Sequence, residues 1–310
     1  MPQIDCFGFL PYKESFKFLN YQIIPLNDFD KKFDSFKKNI NVNGFYYPPN
    51  EYSVSVDIST GKGKRVPNSE RPAYMHRLPA SHQLVFPDSG LKLTDARFGI
   101  PEFIVNVLSF LFGFRLQFFN RWVDMKIPME SQSCVLVTKN DIEKFSANAI
   151  QQWAQRNAYQ KILFNNLLFM HTRNPSYFWD WERFMMEYAV FDGCWRFYFS
   201  RNRLKKEPGH GERMKVILNA FNMQVYDKEI NKIVDLRKNL FHETLWDGKQ
   251  PCTRVSEEAF MSYDTLKRIN HRLITALLNY KTDYIKTDWR SIGQCLFTKN
   301  KGWRFPQAPF

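Results

Sequence analysis

Residues 227–248 read DKEINKIVDLRKNLFHETLWDG, and this stretch decides how the C-terminal half of the chain is interpreted. At about 100° per residue, its apolar side chains fall on one face of a helix. That face consists of Ile230, Ile233, Val234, Leu240, Phe241 and Leu245. Arg237 falls in the middle of the apolar face, and His242 falls beside its edge. Because a guanidinium stays charged, this position predicts an anionic partner for Arg237 or a cavity that opens to water.

Residue types at both ends mark the stretch as one helix. Asp227 is the predicted N-cap, and Gly248 lies beyond the predicted stop. An arginine followed five positions later by a histidine also occurs twice in residues 71–82. There Pro72 and Pro79 break any helix, so the setting within a periodic helix singles out the Arg237/His242 pair.

The pair resembles the R-x4-H signature of the HEPN family, a helical domain found in many metal-independent endoribonucleases. The surrounding LRKNLFHE, residues 236–243, is similar to the corresponding helix of HEPN proteins from bacterial antiviral systems. The resemblance covers roughly residues 139–285. Family members usually carry Asn, Asp or His directly after the arginine; here Lys238 stands there and Asn239 follows, and these two are candidates for a supporting role.

The resemblance implies a function, an assembly and a setting. Arg237 and His242 would be catalytic, two such helices would face each other across a homodimer cleft, and the role would be antiviral defence by RNA cleavage. RNA brings its own nucleophile, the 2′-hydroxyl. Histidine can serve as base or acid near neutral pH, and arginine offers a fork of donors to phosphate oxygens. We therefore expect neither a metal nor a cofactor.

Charge and composition point to the same kind of partner. The 310 residues carry a formal net charge of +13, which favours a polyanionic partner, nucleic acid before anionic lipid. Residues 61–81 are predicted to be a mobile basic loop, and residues 201–215 form a second basic loop in which His210 is expected to be mobile and exposed. The candidate RNA-binding residues are Lys62, Lys64, Arg65, Arg201, Arg203, Lys205 and Lys206.

The cysteine pattern and the hydropathy of the chain indicate the cellular compartment of the protein. The five cysteines are scattered and odd in number, which is typical of reduced thiols in a cytoplasmic protein. The N-terminus lacks the layout of a signal peptide. The apolar run at residues 103–114 falls short of the roughly 20 residues that a membrane span requires, and it is predicted to be a buried helix.

The predicted fold class is α+β. Residues 1–138 form a mixed strand and helix domain, to which analogy gives a regulatory or sensing role with a protein or ligand trigger. Residues 139–310 form an all-α, HEPN-like bundle of about five helices that ends in a basic, aromatic tail. The strand candidates are residues 16–24, 52–59, 83–86, 116–125 and 134–138. The helix candidates are residues 141–170, 177–199, 212–221, 227–248 and 256–284. The aromatic stripe of the second helix is expected to be core or dimer seam.

Two other functions remain open at this point. The helical domain could be a non-catalytic HEPN module that binds RNA, a nucleotide or a partner protein. Alternatively, the chain could be an interaction protein whose helices serve only to dimerise. In a purely structural role, Arg237 would form a salt bridge with a carboxylate of another helix, for example Glu187, and His242 would be a partly buried histidine.

Overall fold

The computed structural model describes residues 2–40, 45–46, 53–66, 76–96, 99–113, 115–119, 121–123, 127–128, 138–177, 179–202, 206–251, 253 and 255–291. The strands are β1 (Gln3–Gly8), β2 (Phe16–Phe18), β3 (Tyr21–Pro25), β4 (Phe45–Tyr46), β5 (Ser53–Val56), β6 (Gly63–Val66), β7 (His76–Arg77), β8 (His82–Phe86), β9 (Gln117–Phe118), β10 (Trp122–Val123) and β11 (Ile127–Pro128). The helices are α1 (Phe29–Lys37), α2 (Leu93–Ala96), α3 (Ile100–Phe112), α4 (Lys139–Ala154), α5 (Ala158–Arg173), α6 (Asp180–Asn202), α7 (His210–Ala220), α8 (Asp227–Glu243) and α9 (Glu257–Leu277). The mixed class is confirmed: strands and three helices alternate over the described part of residues 3–128, and the elements described from residue 139 onward are helices.

A five-stranded antiparallel sheet of order β2-β3-β8-β1-β9 organises the N-terminal part. Its strands alternate buried and more exposed side chains, as expected for a sheet with one covered face. The strand predicted at residues 83–86 is confirmed as β8. The one predicted at residues 16–24 is instead two strands, because Leu19 adopts a left-handed conformation (φ 52°) that turns the chain. Within residues 116–125 the chain forms the short strands β9 and β10, and residues 134–137 lie outside the described part.

The basic segment at residues 61–81 is not a single mobile loop, and that prediction is wrong where the chain is described. β6 pairs with β5, and β7 pairs with β10. The strand predicted at residues 52–59 needs a partner for its backbone groups, and β6 supplies it. Asp57 starts the connecting turn by accepting a 2.8 Å hydrogen bond from the Ser59 N–H, and Gly61 closes it at φ 66°.

The apolar run near residue 103 forms α3, which is buried along almost its whole length. Pro101 lies in its first turn and Gly113 ends it in the left-handed conformation, as predicted. α3 packs against α4 and α5. Of the helices in the described part of the chain, none is both long and apolar enough to cross a membrane.

Six helices, α4 to α9, follow from residue 139 within the described ranges, where about five were predicted. The helix expected over residues 141–170 is two helices, because Asn157 caps α5 by accepting a 2.9 Å hydrogen bond from the Gln160 N–H. α6 packs along α9 and against α5. The aromatic stripe of α6 is core, with Phe184, Tyr188, Phe191 and Trp195 buried. The predicted boundary near residue 138 remains a prediction.

α8 confirms the central helix but corrects its orientation. The buried residues are Ile230, Ile233, Leu236 and Leu240, whereas Phe241 is 46% exposed. The helix ends at Glu243, because Thr244 is left-handed (φ 56°), and Leu245 lies beyond it. α8 packs against both α9 and α7, which centres its buried face on Leu236 and Leu240. Arg237 therefore lies at the edge of the apolar face and not in its middle. The N-cap is Tyr226, so Asp227 is the first helical residue and not the cap.

Candidate active site

Arg237 is half-buried on α8 between two aromatic rings. Its Cζ lies 5.3 Å from the ring centroid of Phe241 and 5.9 Å from that of Tyr188 on α6. Nη1 donates a 2.8 Å hydrogen bond to Nε2 of His242. Nε is buried and has no hydrogen-bond partner among the described residues. A buried donor without an acceptor is costly, so Arg237 carries an unfavourable contribution to the stability of the fold.

His242 lies in the last turn of α8 and is exposed. A guanidinium has donors and no acceptor, so Nε2 of His242 is the acceptor in this contact. The arrangement predicted from sequence, an arginine beside a histidine with access to solvent, is present within one chain.

Tyr188 and Asp192, both on α6, lie beside the Arg237/His242 site. They are four residues apart on one helix face, and Tyr188 is fully buried. Burial raises the pKa of the Tyr188 phenol, which therefore stays a neutral hydrogen-bonding group. Burial also raises the pKa of the Asp192 carboxyl, against the lowering effect of His210, Arg213 and Arg237. The carboxyl thus lies within the field of three cationic or titratable groups.

His210 is the residue that sequence reasoning misplaced. It is neither in a loop nor fully exposed: it is the first residue of α7, and its side chain is 26% exposed. Its Nδ1 lies 2.8 Å from the Tyr188 hydroxyl oxygen and 3.9 Å from Oδ1 of Asp192. Burial, and next the charge of Arg237, lower the pKa of the imidazole. A second histidine therefore lies beside the Arg237 and Tyr188 pair.

Tertiary contacts hold the start of α7 in place. Nε of Arg213 donates a 2.8 Å hydrogen bond to the Pro208 carbonyl, and its Nη2 lies 3.4 Å from Oε1 of Glu207. The indole N–H of Trp195 donates to the same Glu207 oxygen at 3.2 Å. The turn before α7 is thus tied to α6 and to α7 itself. The flanking glycines had suggested an exposed loop, whereas these contacts pack the turn before His210 against α6 and α7.

Glu187 does not serve as a salt-bridge partner of Arg237, so the example named for a structural role of the arginine is wrong. Glu187 is fully buried, and its Oε2 lies 3.0 Å from Nδ1 of His171 and accepts a 2.8 Å hydrogen bond from Nδ2 of Asn270. Burial lowers the pKa of Lys267 nearby, and the charge of Glu187 opposes that shift. These contacts direct Glu187 into the bundle core, towards α5 and α9.

The two candidate supporting residues differ in their surroundings. Lys238 is exposed, and Asn239 is half-buried. The Asn239 carbonyl accepts a 3.1 Å hydrogen bond from the Leu245 N–H, which helps to end α8. The structure thus gives Asn239 a capping role through its backbone.

The basic residues proposed for RNA contact are spread over the molecule. Lys62 lies in the β5–β6 turn and Lys64 in β6, both exposed; Arg65 is also in β6, and Lys206 is exposed before α7. Arg201 lies near the end of α6 and donates a 3.1 Å hydrogen bond to Oδ1 of Asn279. At 1.5 Å per residue it is about 20 Å along the helix from Tyr188. Arg203 and Lys205 lie outside the described residues.

An apolar groove of about 360 Å³ opens beside Phe241. Its other lining residues are Met170, Tyr177, Trp181, Glu182, Met185, Met186 and Ala189, so the groove is lined mainly by α6. Trp179 nearby in sequence is 48% exposed. The edge of the Arg237/His242 site is therefore an exposed apolar surface.

Comparisons of this chain with protein-family models, with curated proteins and with solved structures give no match. The resemblance to HEPN helices therefore depends on the Arg237/His242 spacing and on the helical setting of that pair. Across the described ranges, no group of three or more His, Cys, Asp or Glu side chains is placed to hold a metal ion.

Proposed function

We propose that this protein is an endoribonuclease of the HEPN type, which cuts RNA by attack of the 2′-hydroxyl on the adjacent phosphate and needs no metal for the step. The observation that carries the proposal is the state of Arg237. Its guanidinium lies between the Phe241 and Tyr188 rings, and its Nη1 donates to the exposed His242. A phosphate oxygen has the charge that suits a guanidinium and can take over the donor that now serves His242.

Binding of phosphate would also activate the histidine. A phosphate that takes the Arg237 donors frees Nε2 of His242 at the same place. The freed nitrogen then lies next to the scissile group, where an imidazole can move a proton. The guanidinium meanwhile stabilises the negative charge that develops on the phosphorus oxygens. The two residues thus divide proton transfer and charge stabilisation between them.

The exposed groove beside Phe241 supports the proposed homodimer. An apolar surface next to a charged site is typical of an interface that excludes water around the reacting groups. A second copy covering this groove would bring two Arg237/His242 pairs towards one cleft. The net charge of +13 favours RNA as the ligand of that cleft. A role in antiviral defence follows from the resemblance alone.

The test compares three substrates of one sequence: RNA, DNA, and RNA with 2′-O-methyl groups. We expect cleavage of RNA only, with 2′,3′-cyclic phosphate or 3′-phosphate ends. Arg237→Ala and His242→Ala should each lower the rate by about a hundredfold to ten-thousandfold. The matched control is Lys228→Ala, which removes one positive charge from the first turn of the same helix, where Lys228 is 84% exposed and pairs with Glu258.

Cleavage of DNA at the same rate would contradict the chemistry. Wild-type turnover in a folded His242→Ala protein would contradict the site. In the second case a non-catalytic module that binds RNA, a nucleotide or a protein becomes the better account.

A further inference from the structure

We propose that His210 of the same chain is the second acid–base group of this site and removes the proton from the 2′-hydroxyl, which leaves His242 to protonate the leaving oxygen. The inference rests on the proposed function and deepens it. A single arginine and histidine give only half of an acid–base pair, and the structure places a further histidine at the Arg237 and Tyr188 contact.

The position of His210 is set by three helices. Nδ1 faces α6, 2.8 Å from the Tyr188 hydroxyl oxygen and 3.9 Å from Asp192. The ring centroid of His210 lies 5.8 Å from that of Tyr188, whose ring is also 5.9 Å from the Arg237 Cζ on α8. A Cβ on the next residue, Gly211, would lie 3.7 Å from Cγ2 of Val234, so the start of α7 abuts α8 one turn before Arg237. His210 thus contacts Tyr188, His242 contacts Arg237, and Tyr188 and Arg237 contact each other.

The contacts of Nδ1 of His210 determine which ring nitrogen can accept a proton. With Tyr188 and Asp192 on the Nδ1 side, a proton on Nδ1 is favoured. Nε2 then carries the lone pair, and it makes no hydrogen bond or ion pair with the described residues. A histidine whose one nitrogen is hydrogen-bonded to a hydroxyl, with a carboxylate 3.9 Å away and the other nitrogen unengaged, has the arrangement of a general base.

The surrounding charges favour the neutral ring that a base requires. The groups that face His210 are Tyr188 and Asp192 on α6, Glu207 before α7, Arg213 on α7 and Arg237 on α8. Burial and the charge of Arg237 lower the pKa of His210, and Asp192 acts in the opposite direction. The first position of a helix also disfavours a cation, because the N-terminal end of the helix is electropositive.

The bonds and protons of the proposed step balance with His210 and His242 as the two groups that transfer protons. Nε2 of His210 accepts the proton of the 2′-hydroxyl as the 2′-oxygen forms its bond to phosphorus. Once bound phosphate has taken the Arg237 donor, Nε2 of His242 takes up a proton from water; the bond from phosphorus to the 5′-oxygen then breaks, and Nε2 of His242 donates that proton to the oxygen. The products are a 2′,3′-cyclic phosphate and a 5′-hydroxyl. Proton exchange with water returns His210 to its starting state.

The experiment uses an oligonucleotide that contains the strongest site cut by the wild-type protein, made with either oxygen or sulfur at the 5′-bridging position. A thiolate leaves without protonation, so the sulfur substrate bypasses the general acid. We expect His210→Asn to lose about a hundredfold to ten-thousandfold on both substrates. His242→Ala should lose a similar factor on the oxygen substrate and regain most of its rate on the sulfur substrate. In His210→Asn, the fall in kcat/KM at low pH should also be lost.

The outcomes separate the two proposals. If the wild-type protein cuts no RNA, the proposed function fails and this inference fails with it. If the wild-type protein cuts RNA and His210→Asn cuts at the wild-type rate, only the inference is overturned. Rescue of His210→Asn by sulfur would overturn its assignment as the base. Asparagine retains a donor near the Nδ1 position, and thermal unfolding with RNA binding checks the fold.

Two further variants complete the test. Tyr188→Phe removes the hydroxyl that positions His210, so it should shift the low-pH limb of kcat/KM and lower kcat more than it changes KM. Glu212→Gln changes an exposed residue in the same first turn of α7 and should match the wild type. An unshifted limb in a folded Tyr188→Phe protein would overturn the positioning of His210.

Discussion

Replacing Arg237 with methionine should remove activity with little effect on the stability of the fold. Methionine keeps an unbranched apolar stem of similar length, and it deletes every donor of the guanidinium. If Arg237 is there to bind phosphate, the fold should hardly need its charge. If Arg237 is a structural residue, the fold should lose much of its stability.

The magnitude follows from the contacts of Arg237. The variant loses one hydrogen bond to His242, worth about 1 kcal/mol. It also loses two ring contacts at 5.3 and 5.9 Å. Each of these is worth about 0.5 kcal/mol, because both distances lie near the 6 Å limit of the interaction. In exchange, the variant no longer has the buried Nε donor, whose missing hydrogen bond costs the wild type about 1–3 kcal/mol. The net change in the free energy of unfolding should therefore stay within about 1 kcal/mol.

Arg272 provides the matched control, since it is an arginine built into the core. It is fully buried, and its guanidinium donates to the Arg268 carbonyl at 3.1 Å, to the Tyr284 hydroxyl at 3.2 Å and to Oγ1 of Thr287 at 3.0 Å. Both variants delete a buried Nε donor, so the difference lies in the three hydrogen bonds from a charged donor, whose loss should cost Arg272→Met about 3 kcal/mol or more.

The assay is urea unfolding of the wild type and both variants, with RNA cleavage measured on the same preparations. We expect Arg237→Met to unfold at nearly the wild-type midpoint with its cleavage reduced at least about a hundredfold. A loss of 3 kcal/mol in Arg237→Met, equal to that of Arg272→Met, would refute the reasoning and make Arg237 a structural residue.

Three further predictions concern pH, assembly and salt. Burial lowers the pKa of His82 from 6.5 to about 4, so between these values the native protein binds fewer protons than the unfolded chain. The free energy of unfolding should therefore fall by about 3 kcal/mol from pH 7 to pH 4, and urea titrations of His82→Gln should lack this part of the slope. Phe241→Ser should convert a dimer to monomers in light scattering while the subunit stays folded; an unchanged mass would contradict the proposed interface. Lys205→Ala with Lys206→Ala should weaken RNA binding and reduce its dependence on salt, without slowing cleavage at saturating RNA. An unchanged salt slope would remove these lysines from the RNA contact.

The features that were predictable from sequence are those written in local patterns. The Arg237/His242 helix and α3 could be located because apolar periodicity and end residues such as Gly113 act within a few positions. The orientation of α8 was harder to predict from the sequence. Val234 and Phe241 are as apolar as Leu236, and the packing against α7 and α9 decides which of them is buried.

The position of His210 shows more clearly what local sequence patterns cannot predict. Its two flanking glycines suggest a mobile loop, whereas contacts among Glu207, Arg213 and Trp195 fix the turn. No local pattern carries that information, because Trp195 belongs to a different helix. A weaker signal was available: Tyr188 and Asp192 share one face of α6, and Arg213 follows His210 by one turn. Polar pairs on two consecutive helices were a hint that the helices meet there.

The most direct measurement of the central claim is the single-turnover rate of RNA cleavage in excess EDTA, compared between the wild-type protein and His242→Ala. The account predicts an undiminished rate for the wild type, a loss of about a hundredfold to ten-thousandfold in the variant, and 2′,3′-cyclic phosphate ends in the products. Complete loss of wild-type cleavage on chelation, or equal rates for the two proteins, would contradict it.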